Sequence, residues 1–315
     1  MTAAYQHPEA LVSTDWLEAN LSNPNLRVFD CSFYLHHQTG GGEPFRVESG
    51  RADYDAAHIP GAGFLDLQAD FSDPTAPYRF TLPSPETTGQ AFARHGIGDD
   101  SRVILYSRAN MQRATRFWWM LRWLGFDNAA VLNGGIDKWE AEGRATTTAP
   151  CDYAPGSLTV RPRPELFVGK DGVLVAIGDP GTCTINALGP KLHSGEDASY
   201  GRAGRIPGST NIPAASLLNS DLTFLPAETA AQMFEGIGAT PNQKVITYCG
   251  GGIAALAAGY PPSPRPEAHG SDGSASGPRR GASSSSSFVC RGSRSSTLRV
   301  SPARPSTPTI CLRTP

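Results

Sequence analysis

The strongest chemical signal in the chain is the run Cys249-Gly250-Gly251-Gly252-Ile253-Ala254-Ala255. The thiolate is the nucleophilic form of cysteine, and a local positive field sustains it near neutral pH. Successive glycines open backbone conformations closed to other residues. Their N–H groups can then curl inward as a nest for an anion. A helix starting near Ile253 would add the positive end of its dipole. The spacing therefore predicts a nucleophilic Cys249 cradled by backbone donors of Gly250, Gly251, Gly252, Ile253 and Ala254. A phosphatase loop of the C-x5-R kind needs an arginine at position 255 to clamp phosphate, and Ala255 stands there.

Such a loop needs a rigid support. The apolar run Val245-Ile246-Thr247-Tyr248 precedes it directly and reads as a strand. A cysteine at the carboxyl end of a parallel strand lies where α/β sheets bind ligands. That strand has an earlier counterpart. Val103-Ile104-Leu105-Tyr106-Ser107 matches Val245-Ile246-Thr247-Tyr248-Cys249. His58-Ile59-Pro60-Gly61-Ala62 matches Arg205-Ile206-Pro207-Gly208-Ser209, and Val28-Phe29-Asp30-Cys31 matches Thr184-Ile185-Asn186-Ala187. The three matches keep their order, which predicts two copies of one fold, 1–145 and 158–260, joined by a Thr/Pro/Gly-rich linker, 146–157. A length of 315 residues agrees with two domains at about 150 residues each.

In the first copy a strand is expected over Arg102–Tyr106, a helix over Arg113–Leu124, a strand over Ala129–Leu132 and a helix over Ile136–Glu142 stopping at Gly143. Strand–helix alternation predicts an α/β fold, each copy a parallel sheet flanked by helices. Trp118, Trp119 and Trp123 are expected in the core and between the copies. The second copy has only Gly250–Tyr260 after its cysteine, so it reads as truncated, without a last strand and helix. From Pro261 the composition turns to Pro, Ser, Gly and Arg, and 261–315 reads as a disordered tail.

Composition narrows the function classes. A net charge of -2 gives no case for nucleic acid. No run approaches the length needed to span a bilayer, and the acidic N-terminal segment lacks the features of a leader, so a cytoplasmic location is expected. The six cysteines form no C-x-x-C pair, which argues against a zinc site and for reduced thiols. No metal or cofactor is expected. Cys31, Cys151 and Cys183 lack a glycine loop and read as structural, and His58 as a turn-stabilising residue.

Tyr248–Ala255 after an apolar strand resembles the active-site loop of the rhodanese / 3-mercaptopyruvate sulfurtransferase family. The two Ile-Pro-Gly elements and the segment Leu132-Asn133-Gly134-Gly135-Ile136-Asp137-Lys138-Trp139 resemble that family's other hallmarks, and the likeness covers about residues 10–260. It implies tandem rhodanese-like domains, the first catalytically silent with Ser107 where the second has Cys249. It implies ping-pong transfer of a sulfane sulfur from thiosulfate or 3-mercaptopyruvate, through a Cys249 persulfide, to cyanide or a thiol acceptor such as a small thiol or a thioredoxin-like protein. The arginine that holds the anionic donor in many members is replaced, since Asn186-Ala187-Leu188 stands in its motif. Loop positions that are basic in thiosulfate-type members are Gly250 and Gly251, and the loop lacks the hydroxyl residue of mercaptopyruvate-type members. Gly250 and Gly252 match the latter type. Candidate cations for the donor are then Arg202 and Arg205, with Arg108 or Arg113 from the first copy. The rival expectation is a non-catalytic binding or sulfur-relay scaffold, inactive because its second domain is truncated.

Overall fold

The computed structural model describes residues 5, 7–38, 45–200, 203–240 and 242–259, and the strand 311–313. Among the described residues the strands form two five-stranded sheets and a two-stranded hairpin. The first sheet uses β1 (Leu11–Val12), β2 (Leu26–Asp30), β5 (Ala62–Phe64), β6 (Arg102–Tyr106) and β7 (Ala129–Leu132) in the order β1-β7-β6-β2-β5. All its pairings are parallel. Between β2 and β5 the hairpin β3 (Phe33–His37) and β4 (Phe45–Ser49) pairs antiparallel. From Val103 to Tyr106 every residue of β6 is fully buried, as is typical of a parallel strand covered on both faces.

The second sheet repeats the plan with β8 (Phe167–Val168), β9 (Thr182–Asn186), β10 (Thr210–Asn211) and β11 (Lys244–Tyr248). β11 pairs in parallel with β9, and β9 with β10, as β6 pairs with β2 and β2 with β5. The repeat read from sequence is thus a repeat of topology. At the place that β7 holds in the first sheet lies β12 (Cys311–Arg313), antiparallel to both β11 and β8. This corrects two expectations: the second sheet is mixed rather than parallel, and the tail is not without structure throughout. An open edge of β11 presents unpaired N–H and C=O groups, and any segment that reaches it can satisfy them in either direction. Residues 261–310 and 314–315 of the expected tail lie outside the described residues.

The helix Gln112–Trp123 agrees with the expected element to one residue at each end. It follows β6 and is buried almost all round, because one face packs on the first sheet and the other meets the second copy. Trp119 Nε1 donates to the carbonyl of Leu256 across that junction at 3.0 Å. One continuous apolar cluster contains Phe117 and Trp119 together with Ile253, Leu256 and Ala257. The linker and the first residues after it are strapped along the first copy. Tyr153 Oη donates to Gly61 O and accepts from Val28 N–H at 3.1 Å, and Arg161 N–H donates to Leu124 O at 2.8 Å. Among the described residues no helix is long and apolar enough to cross a membrane.

Candidate active site

Cys249 directly follows β11 and is 4% exposed. The chain then turns through Gly252, whose φ of 71° suits only glycine without strain. That turn aims the Gly252 N–H at Cys249 Sγ, 3.1 Å away. Ile253 is buried and precedes the helix Ala254–Ala258, so the expected helix start is shifted by one residue. Thr247 Oγ donates to Ala255 O at 2.9 Å and ties the strand to this short helix.

The glycines serve close approach as well as turning. A Cβ on Gly250 would lie 2.2 Å from Cε1 of Tyr200, and one on Gly251 would lie 3.2 Å from Cδ2 of Phe80. Two aromatic rings therefore wall the loop where basic side chains would otherwise project. Phe80 stacks on Phe45, which also meets the Tyr200 ring edge-on. Burial, with a smaller contribution from Cys249, pushes the Tyr200 phenol up to about 12, so it keeps its proton. Phe80 is itself in the left-handed region at φ 60°, a conformation that costs a non-glycine residue free energy.

The Ile-Pro-Gly elements anchor the loop-bearing strands. Ile206 N–H donates to Tyr248 Oη at 3.1 Å, and Asn186 Nδ2 donates to the same oxygen at 3.1 Å. In the first copy Ile59 N–H approaches Tyr106 Oη at 3.4 Å. His58 is fully buried, with Nδ1 2.7 Å from Tyr54 O and Nε2 3.0 Å from Ala149 O, which fits the expected structural role.

The candidate cations separate clearly. Arg116, which sequence reasoning missed, is fully buried; Nη1 donates to Gly252 O at 3.1 Å and Nη2 to Phe80 O at 2.9 Å. Arg205 is exposed and reaches His193 O at 3.3 Å. Arg108 is engaged by both oxygens of Glu140, each at 2.8 Å, so it is not free to hold a donor. Arg113 lies over the rings of Phe33 and Tyr34, and its Nε and Nη1 are buried without an acceptor among the described residues. Arg202 lies outside the described residues. The other described thiols, Cys31, Cys151 and Cys183, are all pushed up by burial, which disfavours their thiolates. Neither Tyr200 nor Phe80 carries a local sequence signal. Arg116 carries a faint one, a charge set among Phe117, Trp118, Trp119, Met120 and Leu121.

Comparison with known proteins gives the family. The rhodanese-like domain family matches residues 13–142, which hold β2 to β7 of the first copy. The sulfur carrier protein TtuD of Thermus thermophilus is 33% identical over 257 residues, 78% of this chain and 84% of that protein. A probable 3-mercaptopyruvate sulfurtransferase of Pseudomonas aeruginosa is 34% identical over 251 residues, covering 78% of this chain and 85% of its own length. The crystal structure of the 3-mercaptopyruvate sulfotransferase SseA from Escherichia coli superposes with a TM-score of 0.67 at 28% identity, over 79% of this chain and 91% of that one. The chain belongs to the rhodanese / 3-mercaptopyruvate sulfurtransferase family and is an enzyme of that sulfurtransferase type.

Proposed function

We propose that Cys249 is the sulfur-carrying nucleophile, within a second copy spanning 158–260, and that the first copy, 1–145, joined by the linker 146–157, is catalytically silent. The observation that carries this reading is the Gly252 N–H turned onto Cys249 Sγ at 3.1 Å, a donor aimed at negative charge on sulfur. In this reading the N–H groups of Gly250, Gly251, Ile253 and Ala254 join that of Gly252 as donors to an outer sulfur.

The thiolate attacks the outer sulfur of the donor and a Cys–S–S⁻ forms. With thiosulfate the donor S–S bond breaks and sulfite leaves with the electron pair. With 3-mercaptopyruvate the C–S bond breaks, the pair passes to carbon as an enolate, and the donor's thiol proton ends on that carbon, giving pyruvate. Cyanide or a thiolate then takes the outer sulfur and the Cys249 thiolate returns. Two aromatic walls and no basic side chain within Gly250–Ala255 suit a dianionic thiosulfate poorly and favour 3-mercaptopyruvate. The Tyr200 phenol, protonated and packed on Gly250, takes the part of the hydroxyl that the loop lacks, giving its proton to carbon and recovering the donor's. Arg113, whose Nε and Nη1 have no acceptor among the described residues, and Arg205 are the cations for the donor carboxylate.

Intact mass of the purified chain before and after each donor, beside Cys249→Ser, tests this. A thiol-reversible gain of one sulfur atom, absent from the variant, is expected, and Tyr200→Phe should slow loading from 3-mercaptopyruvate while sparing thiosulfate. No gain from either donor in folded protein would instead make the chain a non-catalytic scaffold.

A further inference from the structure

Arg116 belongs to the first copy, yet its guanidinium ends at the second copy's cysteine loop. Its whole side chain is buried. Two of its N–H groups go to carbonyls, Gly252 O at 3.1 Å and Phe80 O at 2.9 Å. Carbonyls are dipoles and leave the unit charge unanswered. Nε is buried with no acceptor among the described residues. Burial pulls Arg116 down to about 10, so it is still a cation at neutral pH; Cys249 opposes that shift, and among the described residues no carboxylate contributes. A buried cation without an anion is costly, and the group available to answer it is the sulfur of Cys249.

The geometry links the two further. The Gly252 N–H faces Cys249 Sγ at 3.1 Å, while the Gly252 carbonyl is the acceptor for Arg116. One residue is therefore held from both sides, its left-handed turn at φ 71° fixed between sulfur and guanidinium. Through Phe80 O the same guanidinium also fixes the strained residue whose ring walls Gly251.

We propose that Arg116 is a positioning residue and the counter-charge of the sulfur site, supplied across the junction by the catalytically silent copy. It matches one negative charge throughout the cycle, because the thiolate and the persulfide each carry one. A loop without basic residues thus borrows its cation from a helix more than a hundred residues earlier. The inference rests on Cys249 as the nucleophile.

The test compares alkylation of Cys249 in the full chain by iodoacetate, an anion, and by iodoacetamide, its neutral counterpart, read by peptide mass. In the wild type the iodoacetate-to-iodoacetamide rate ratio should exceed that of free cysteine by about 10-fold, the size of a short-range charge effect in a poorly solvated site. Arg116→Lys should keep most of this preference and restore part of the sulfur loading. Arg116→Gln should lose the preference and load sulfur at least about 10-fold more slowly. A wild-type ratio no higher than that of free cysteine overturns the proposal, whether or not Arg116→Gln folds. So does an Arg116→Gln chain that keeps both the wild-type ratio and the wild-type loading rate. A raised ratio in a chain that takes sulfur from no donor would sink the sulfurtransfer reading and leave the Arg116 charge contact standing.

Discussion

Ser107 and Cys249 end equivalent strands, β6 and β11, but the loops beyond them are satisfied from different sources. In the first copy Ser107 Oγ donates to Asn110 O, and Gln112 N–H is taken by Asn110 Oδ1 at 2.7 Å. Ala109 N–H donates to a carboxylate oxygen of Asp137 at 2.7 Å. Arg108, next to the serine, is clamped by Glu140. Both acids lie on the helix Gly135–Ala141, which follows β7. In the second copy no such helix follows the loop among the described residues, and the Gly252 N–H turns to sulfur. A nest whose donors already hold an internal carboxylate has little left for an external anion. On the proposed reading, the serine in place of a cysteine and the filling of the nest act together to silence the first copy.

The largest expected effect tests that pairing. Cys249→Ser should abolish sulfur loading, and adding Ser107→Cys to that variant should not restore it. Adding Asp137→Asn as well should raise alkylation at position 107 by about 10-fold, because the competing carboxylate charge is gone. Full loading at 107 without the Asp137 change would break the account, since sulfur chemistry alone would then separate the copies.

Gly250→Ala should come next. Arg108 holds the equivalent place in the first copy without conflict, whereas a Cβ at 250 would meet the Tyr200 ring at 2.2 Å. Overpacking of this kind costs about 1–3 kcal/mol, and the displaced ring should slow sulfur loading. Tyr200→Leu in the same chain should recover much of the lost stability on thermal unfolding. If Gly250→Ala alone leaves both stability and loading unchanged, the ring does not constrain the loop.

A third contrast lies one strand away. Asp30 Oδ1 accepts from Ser32 N–H at 2.8 Å, and Asn186 Oδ1 accepts from Leu188 N–H at 2.8 Å at the matching strand end. The acid is almost fully buried, and that burial raises its pKa from 3.8 to about 6. A raised folded pKa means that the folded state holds the proton more tightly than the unfolded one. The burial penalty is then absent below about pH 4 and fully present above about pH 6. Asp30→Asn should therefore stabilise the chain by about 1–3 kcal/mol at pH 7, with the gain shrinking to nothing near pH 4. A gain independent of pH would show that packing, not charge, separates the two positions.

Much of this architecture is legible in the residues. The apolar runs of β6 and β7, the glycine stops and the duplicated Ile-Pro-Gly elements define the strand–helix alternation because each is a local pattern. The glycine loop after Cys249 is equally local, so a single backbone N–H turned onto the sulfur, that of Gly252, could be anticipated. Tyr200, Phe80 and Arg116 could not, because they converge on the loop from three separate segments and no spacing encodes that meeting. Arg108 reads from sequence as a candidate cation for the donor, but Glu140, on a later helix, holds it, and no local spacing encodes that pairing. The antiparallel β12 escaped for a related reason. An open sheet edge specifies that some backbone must pair there, not which segment or in which direction.

The smallest effect concerns how each loop makes its turn. The first copy passes through Ala109 at φ 61°, the second through Gly252 at φ 71°. The left-handed region costs an L-residue about 1–2 kcal/mol, while glycine adds about 0.5–1 kcal/mol of chain entropy to the unfolded state. Ala109→Gly should therefore raise stability by up to about 1 kcal/mol, visible as a small upward shift in thermal unfolding. It should leave the first loop unreactive, because the Ala109 N–H remains on Asp137. A gain in anion binding on this change alone would mean that backbone freedom, rather than the filled nest, accounts for the proposed silence of the first copy.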